Sequence, residues 1–214
     1  MKRGYFITIE GGEGAGKSTV IKFIEDYLKS HGISLLVTRE PGGTEIAEDI
    51  RKIVLAPAGH YQERMCPLTE LLLYFASRAQ HLTCSIIPAL ERGQWVLCDR
   101  FTDSSYAYQG IGRGIPEATV TQVAKMVHGD LQPDFTLLLD LDPAIGFARI
   151  HKSGRELDRL EVENLDFYQE VRQCYLKQAE AEPQRFRVID GGKTPAEVEA
   201  QLEKILQAIL NSKF

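Results

Sequence analysis

A chain of 214 residues is long enough for one compact domain, or for one domain that carries a small lid. Hydrophobic residues make up 43% and charged residues 26% of it, which is the profile of an ordinary soluble globular protein. The formal net charge of -5 excludes recruitment of DNA or RNA by the surface as a whole, although basic residues can still converge on one phosphate-binding cleft.

The N-terminal segment leads directly into a predicted strand, without the apolar core or cleavage-site pattern of a signal sequence. No apolar run in the sequence is long enough to cross a membrane. The four cysteines are scattered and form no CxxC pair, a pattern typical of reduced thiols. We therefore expect a cytoplasmic protein with neither a membrane nor a nucleic acid as its partner.

Five short, apolar, β-rich segments alternate with long stretches of helical periodicity. The predicted strands are residues 5–10, 34–39, 95–99, 135–140 and 186–190. Several of these segments are apolar on both faces, as expected of buried parallel strands. This alternation predicts an α/β fold with three layers, in which helices flank a five-stranded parallel sheet, the arrangement of P-loop NTPases.

Between the strands lie the predicted helices. The first begins near Lys17, and longer ones are predicted over residues 69–91, 116–128 and 166–182. Asp142 precedes a proline and is predicted to cap a further helix. The polar segment 152–163 (KSGRELDRLEVE) is typical of a lid and not of a core element. The prediction is one domain, residues 1–214, with this lid.

Residues 11–18 (GGEGAGKS) match the phosphate-binding pattern G-x-x-x-x-G-K-[ST], between a predicted strand and a predicted helix. Glycines let the backbone turn its N–H groups toward phosphate oxygens, and the helix N-terminus adds its positive dipole end. Lys17 can neutralise the β- and γ-phosphates, and the Ser18 hydroxyl can complete a magnesium shell. The predicted ATP-binding residues are Gly11, Gly12, Glu13, Gly14, Ala15, Gly16, Lys17, Ser18 and Thr19.

A P-loop by itself does not separate kinases from GTPases, motors and switches. The sequence lacks the N-K-x-D element that GTPases use for guanine, and it is short for a motor domain. A nucleotide kinase needs an acceptor pocket and a lid that excludes water. The segments 38–44 (TREPGGT), 99–101 (DRF), 108–110 (YQG) and 157–161 (LDRLE) provide candidates for both.

These segments, in this order and spacing, resemble the signatures of the thymidylate kinase family, and the resemblance covers nearly the whole chain. It implies magnesium-dependent transfer of the γ-phosphoryl group of ATP to dTMP, giving dTDP and ADP for dTTP synthesis. It also implies a homodimer, for which the apolar helices of residues 71–90 could supply a self-complementary face.

The family carries a catalytic arginine either in the P-loop or in the lid, and Gly14 makes this chain resemble the form with lid arginines. The arginine expected just before the lid glycine is displaced here, so Arg155 or Arg159 is expected to serve. Glu13 is expected near the sugar hydroxyl or the metal, because a carboxylate beside a triphosphate needs a cation or a hydroxyl between them. The expected catalytic residues are Lys17, Arg100, Arg155, Arg159 and Glu13.

Tyr74 and Arg78 are four residues apart on a predicted helix and so share one face. The resemblance implies that Tyr74 stacks on thymine and that Arg78 donates a hydrogen bond to its O4. From the residues alone the alternative is favoured, in which Tyr74 belongs to the core and Arg78 reaches into solvent.

Asp99 and Arg100 end a predicted strand, at the sheet edge where α/β proteins bind ligands. Asp99 is expected to order magnesium and Arg100 to clamp the acceptor phosphate; a structural ion pair is the alternative. Arg149 either stacks on adenine, as the resemblance implies, or is an ordinary surface arginine. The other residues expected at dTMP are Arg39, Pro41, Arg51, Ser105, Tyr108 and Gln109, with Tyr108 filling the space of a ribose 2′-hydroxyl.

Two alternatives to this function stay open at this stage. Within enzymes, the acceptor could be another nucleoside monophosphate or a deoxynucleoside. In a different class, the chain could be a switch or scaffold that binds ATP without an acceptor, although the paired Tyr74 and Arg78 argue against it.

Overall fold

A computed structural model describes residues 3–152 and 158–211 of the chain. Its single sheet is entirely parallel and has the strand order β2-β3-β1-β4-β5. The strands are β1 (Phe6–Glu10), β2 (Leu35–Arg39), β3 (Trp95–Asp99), β4 (Phe135–Asp140) and β5 (Phe186–Asp190). Each predicted strand is confirmed to within one residue. The predicted three-layer α/β fold is confirmed as well.

Helices connect the strands and cover both faces of the sheet. They are α1 (Lys17–Ser30), α2 (Glu45–Val54), α3 (Pro67–His81), α4 (Ile87–Glu91), α5 (Thr102–Ser105), α6 (Glu117–His128), α7 (Pro143–Lys152), α8 (Leu165–Ala181) and α9 (Pro195–Asn211). The cap prediction is confirmed, because the Asp142 carboxylate accepts a hydrogen bond of 2.8 Å from the backbone N–H of Ala144. None of the helices in the described ranges is both long and apolar enough to span a membrane.

The helix predicted over residues 69–91 is not regular along its whole length. A π-helical segment, Leu82–Ile86, separates α3 from α4, and Pro88 follows in the first turn of α4. Proline has no N–H to donate to the carbonyl four residues earlier, so the regular hydrogen-bond ladder cannot continue through this region. A second π-helical segment, Tyr106–Gly112, follows α5.

The sheet is buried between two apolar layers. On one face, α1 and α9 pack against β1 through side chains that recur every three to four residues, such as Ile24, Leu28 and Leu202. On the other face, α8 packs against β4 and β5, and the segment Tyr106–Gly112 packs against α8. This packing leaves the carboxyl edge of the sheet to carry the polar side chains.

Three neighbouring strands end at the same edge, and each passes its chain to a polar loop. In the ladder, Asp99 pairs with Ile9 on one side and with Arg39 on the other. The P-loop follows β1, the Glu40–Pro41 turn follows β2, and Arg100 follows β3. The parallel register therefore brings three segments that are far apart in sequence to one place.

Candidate active site

The P-loop has a conformation that its glycines make accessible. Gly11, Gly14 and Gly16 all have positive φ, and a Cβ atom at Gly14 would lie 2.4 Å from a backbone oxygen of Gly146. Lys17 opens α1 and donates from Nζ to the carbonyl oxygens of Gly11 (3.3 Å) and Gly12 (3.1 Å). Burial and the neighbouring Arg100 lower the pKa of Lys17. The ammonium group thus lies inside the loop, where a phosphate could replace the carbonyl oxygens.

A cleft of about 380 Å³ opens beside this loop. It is bounded by the P-loop, the ends of β2 and β3, α2, α3 and α7. The predicted residues that line it are Glu13, Gly14, Ala15, Gly16, Lys17, Ser18, Arg39, Pro41, Arg51, Tyr74, Asp99, Arg100 and Arg149. One cleft therefore brings residues predicted for ATP together with residues predicted for the acceptor.

Arg100 lies at the centre of this arrangement and has an unusual backbone. Its φ of 71° is the only positive φ at a non-glycine residue in the described ranges, a conformation that costs about 1–2 kcal/mol. Its Nη2 forms an ion pair with Glu13 and donates to the Tyr108 hydroxyl at 3.2 Å. Its Nη1 donates to the hydroxyls of Ser104 and Tyr175, each at 3.2 Å. These contacts fix the guanidinium in one orientation at the cleft wall.

Glu13 is held ionised by its surroundings. Burial raises the pKa of this carboxyl, but the charges of Arg100 and Lys17 outweigh burial and lower the pKa to about 2. The same two cations offset the repulsion that a carboxylate inside a phosphate-binding loop would otherwise cause. The Tyr108 hydroxyl also donates to Glu13, at 3.3 Å.

The end of β3 provides oxygen atoms suited to a hard cation. Oδ1 of Asp99 is buried and has no hydrogen-bond partner among the described atoms, which is unusual for a carboxylate oxygen. Ser18, in the first turn of α1, lines the same cleft. A carboxylate and a hydroxyl are ligands that Mg²⁺ accepts together with phosphate oxygens and water. The residues present therefore fit a magnesium site.

Arg78 is buried, so the alternative in which it reaches into solvent is wrong. It is 1% exposed, and its Nε donates to Glu40 Oε2 at 2.6 Å. Its Nη1 donates to Ser105 Oγ at 3.1 Å, and the guanidinium lies over the rings of Phe75 and Phe101. Arg78 and Ser105 are not among the described residues that line the cleft. The expected contact of Arg78 with thymine O4 stays a prediction.

A buried group of Glu40, His81 and Cys98 has three potential ligand atoms within 4.8 Å of one another. Its chemistry is that of a hydrogen-bond network and not of a metal site. Arg78 already neutralises Glu40, and His81 lies between Glu40 (3.1 Å) and Thr38 (2.7 Å). Burial and nearby carboxylates raise the pKa of the Cys98 thiol well above its usual value, which disfavours the thiolate that a metal requires.

Two of the predicted residues contact a buried carboxylate that sequence reasoning missed. Glu70 is fully buried and accepts from Gln109 Nε2 at 2.8 Å, Arg113 Nε at 3.1 Å and Arg159 Nη1 at 2.7 Å. Arg159 also donates to the carbonyl oxygen of Val54. The structure thus places Arg159 on Glu70 and not on the P-loop, and Arg155 lies outside the described residues. Gln109 also contacts Glu70, and its expected contact with dTMP stays a prediction. The sequence did contain a signal for a functional Glu70: it is a charged residue on an apolar helix, and it lies four positions before Tyr74 and therefore on the same face.

The basic residues from β2, α2 and α7 form the rim of the cleft. Arg39 donates to Glu48 at 3.0 Å, and Arg51 donates to the carbonyl oxygen of Pro41 at 2.8 Å. Burial and the charge of Arg39 lower the pKa of Arg51, so an anion between the two arginines would relieve their repulsion. Arg149 is exposed and donates to the carbonyl oxygen of Gly14 at 3.2 Å.

Three comparisons with known proteins, by family model, by sequence and by structure, all find thymidylate kinases. The sequence model of the thymidylate kinase family matches residues 9–202. The thymidylate kinase of Pseudomonas syringae pv. tomato is 51% identical over 207 residues, 97% of each chain, and that of Alcanivorax borkumensis is 48% identical over 204 residues, 95% of this chain and 96% of the relative. The crystal structure of thymidylate kinase from Ehrlichia chaffeensis aligns with a TM-score of 0.75 and 30% identity, and covers 95% of this chain and 99% of that one. The chain belongs to the thymidylate kinase family.

Proposed function

We propose that the protein transfers the γ-phosphoryl group of ATP to dTMP, giving ADP and dTDP, with Mg²⁺ as its cofactor. The observation that carries the proposal is the single cleft that joins the P-loop to Tyr74 and to three arginines of β2, α2 and the end of β3. A protein that only binds ATP needs no second cationic wall with an aromatic side chain. Phosphoryl transfer, in contrast, requires that a donor and an acceptor be held in line.

On the donor side, the backbone N–H groups of the P-loop and the N-terminus of α1 bind the phosphates. The desolvated ammonium of Lys17 leaves its carbonyl partners and neutralises the β- and γ-phosphates. Arg149, already bonded to the carbonyl of Gly14, is placed to contact the base or the ribose that extends from the loop.

On the acceptor side, Arg100 binds the phosphate of dTMP and aligns it with the γ-phosphate. Arg39, at the end of β2, and Arg51, in α2, hold the same phosphate. Tyr74 packs on the thymine ring, and Tyr108 occupies the space beside Glu13 where a ribose 2′-hydroxyl would otherwise lie. The acceptor phosphate is already ionised near neutral pH, so the reaction needs no strong general base.

Asp99 and Ser18 would hold Mg²⁺, directly or through water. When bound, the cation neutralises oxygens of the β- and γ-phosphates and so adds to the charge provided by Lys17. A lid arginine shares this task in the proposal. For Arg159 this requires that it release Glu70 when the lid closes over the nucleotides.

We also propose a homodimer in the cytoplasm. An apolar row on the outer face of α3 and α4 includes Leu68, Leu72 and Ile87, which are 38–51% exposed. Ile46 and Ile53 of α2, which packs beside α3, are exposed as well. Several exposed apolar side chains on neighbouring helices of a globular protein are typical of an interface, and a twofold axis would bury them against their own copies. Light scattering should give twice the mass of the chain, and Leu72→Glu should give the monomer.

The reaction is tested by ADP release with ATP, Mg²⁺ and a panel of acceptors: dTMP, dUMP, dCMP, AMP and thymidine. Turnover that strongly favours dTMP and disappears in the Lys17→Ala variant supports the proposal. Preference for another acceptor would change the substrate and leave the reaction type intact. If no acceptor supported turnover while ATP still raised the melting temperature, the protein would be an ATP-binding switch.

A further inference from the structure

A carboxylate with no role in the proposed reaction lies directly beneath Arg100. Glu10 ends β1 and is fully buried. Its Oε1 accepts from the backbone N–H of Phe101 at 2.7 Å, and its Oε2 accepts from the hydroxyls of Ser104 at 2.6 Å and Tyr175 at 2.9 Å. These donors come from the loop after β3, from α5 and from α8, so Glu10 joins three parts of the chain around one carboxylate.

The same two hydroxyls are acceptors for Arg100. Nη1 of Arg100 donates to Ser104 Oγ and to the Tyr175 hydroxyl, both at 3.2 Å. Each hydroxyl has one proton and two lone pairs. The two hydroxyl oxygens also lie 2.7 Å apart, so one hydroxyl can donate to the other while the second donates to the carboxylate. In this arrangement both oxygens still present a lone pair to the guanidinium. Glu10 thus determines the direction of the hydroxyls that hold Arg100.

Replacing the carboxylate by an amide would reverse this direction. A glutamine whose oxygen accepts from Phe101 must turn its NH₂ group toward the hydroxyls of Ser104 and Tyr175 and donate to them. One hydroxyl proton can then lie between Ser104 and Tyr175, and the other has no acceptor at residue 10 and turns toward Arg100. Arg100 has donors only, so a hydroxyl proton that faces it repels it and removes a hydrogen bond.

Glu10 also holds the backbone beside Arg100. Its bond to the N–H of Phe101 fixes the peptide that immediately follows the left-handed Arg100. One carboxylate therefore contacts the chain next to the strained residue and, through two hydroxyls, the end of the Arg100 side chain. Such strain persists only where the surroundings over-determine it.

We propose that Glu10 is a positioning residue for the acceptor phosphate: its carboxylate keeps the hydroxyl protons of Ser104 and Tyr175 away from Arg100 and so fixes the guanidinium at the cleft wall. Glu10 itself touches no substrate. The inference rests on the proposed role of Arg100 in binding the phosphate of dTMP.

The test is steady-state kinetics of the full chain with Mg²⁺ at pH 8.5, above the pKa of Glu10, varying dTMP and ATP separately. In Glu10→Gln, KM for dTMP should rise about tenfold or more, because Arg100 loses a hydrogen bond to a hydroxyl and the loss of one hydrogen bond to a charged group has about this effect. The value of kcat should also fall. KM for ATP should change less than twofold. Glu10→Asp should recover part of the loss, because it restores an acceptor-only group. Asp134→Asn is the matched control, an acid-to-amide change at a carboxylate that also accepts from a backbone N–H, that of Phe6, but lies at the opposite edge of the sheet.

Two further variants separate the possible failures. Tyr175→Phe should raise KM for dTMP by itself and add little in the double variant with Glu10→Gln, because both changes act on one hydroxyl. Arg100→Lys tests the proposed function: an unchanged KM for dTMP would refute phosphate binding by Arg100. A raised KM in Arg100→Lys together with an unchanged KM in both Glu10→Gln and Tyr175→Phe would overturn the positioning role alone. A fall in kcat with both KM values unchanged in Glu10→Gln would also overturn it, since that is the result of a merely structural loss.

Discussion

The buried carboxylate of Glu10 should make the protein less stable as the pH rises through neutrality. Burial and the nearby Asp103 raise the pKa of Glu10 from 4.5 to about 7, against the opposing effect of Arg100. A folded-state pKa above the unfolded one means that the folded protein binds the proton more tightly. The stability from this proton is fully present below about pH 4.5 and is lost as the pH rises through about 7.

The size of the effect follows from the displacement of the pKa. One pKa unit corresponds to about 1.4 kcal/mol, so the rise from 4.5 to about 7 gives about 3 kcal/mol as the full amplitude. A neutral amide has no proton to lose in this range. Glu10→Gln should therefore gain about 1–3 kcal/mol of unfolding free energy over the natural protein at pH 8, and much less at pH 5.

Urea unfolding at half-unit steps from pH 5 to pH 8.5 measures this difference. Glu13→Gln is the matched control, because the charges of Arg100 and Lys17 outweigh burial and lower the pKa of Glu13 to about 2. Stability from that carboxylate is lost only as the pH falls toward 2, so the control should keep the natural decline between pH 5.5 and 7.5. Curves for Glu10→Gln and the natural protein that run parallel across this range would refute the reasoning.

Three other changes have consequences that can be worked out. Glu70→Ala leaves Arg159 and a second arginine without their carboxylate and should cost about 2–4 kcal/mol in urea unfolding; a loss below 1 kcal/mol would contradict this. Asp103→Asn breaks the two-bond pair with Arg185 (2.6 and 2.9 Å) and should cost about 3 kcal/mol, which calorimetry would register as a lower melting temperature; an unchanged melting temperature would count against it. Asp99→Asn should raise the Mg²⁺ concentration for half-maximal turnover severalfold and leave melting nearly unchanged; an unaltered Mg²⁺ titration would remove Asp99 from the metal site.

Glu10→Gln is thus expected to be more stable and less active than the natural protein. A buried charge is costly in an apolar surrounding, and it is tolerated here by three hydrogen bonds that it accepts. Such an exchange of stability for geometry is common where a site must hold a strained residue. Here that residue is Arg100, with its positive φ.

Sequence reasoning located the centre of the cleft because three of its segments each follow a strand. A parallel sheet sends all its strand ends to one edge, so the loop after β1, the turn after β2 and Arg100 had to meet there. Side-chain partners were harder to predict. Arg78 pairs with Glu40 across 38 positions, and Tyr175 reaches Glu10 across 165 positions, and no local pattern encodes such pairs.

The sequence by itself determined the strands, the P-loop and the family, because these depend on local periodicity and on glycines in a fixed spacing. Only the tertiary structure decided which charges are buried and with which partners. Glu10 ends a strand and Glu70 lies on one face of a helix. The sequence around each of them is compatible with either an exposed or a buried acid. In the folded chain α8 packs against β4 and β5, the segment Tyr106–Gly112 contacts α8 and α3, and both acids are fully buried. A carboxylate removed from water must then find donors. Gln109 and Arg159 donate to Glu70, and Ser104 and Tyr175, which also hold Arg100, donate to Glu10.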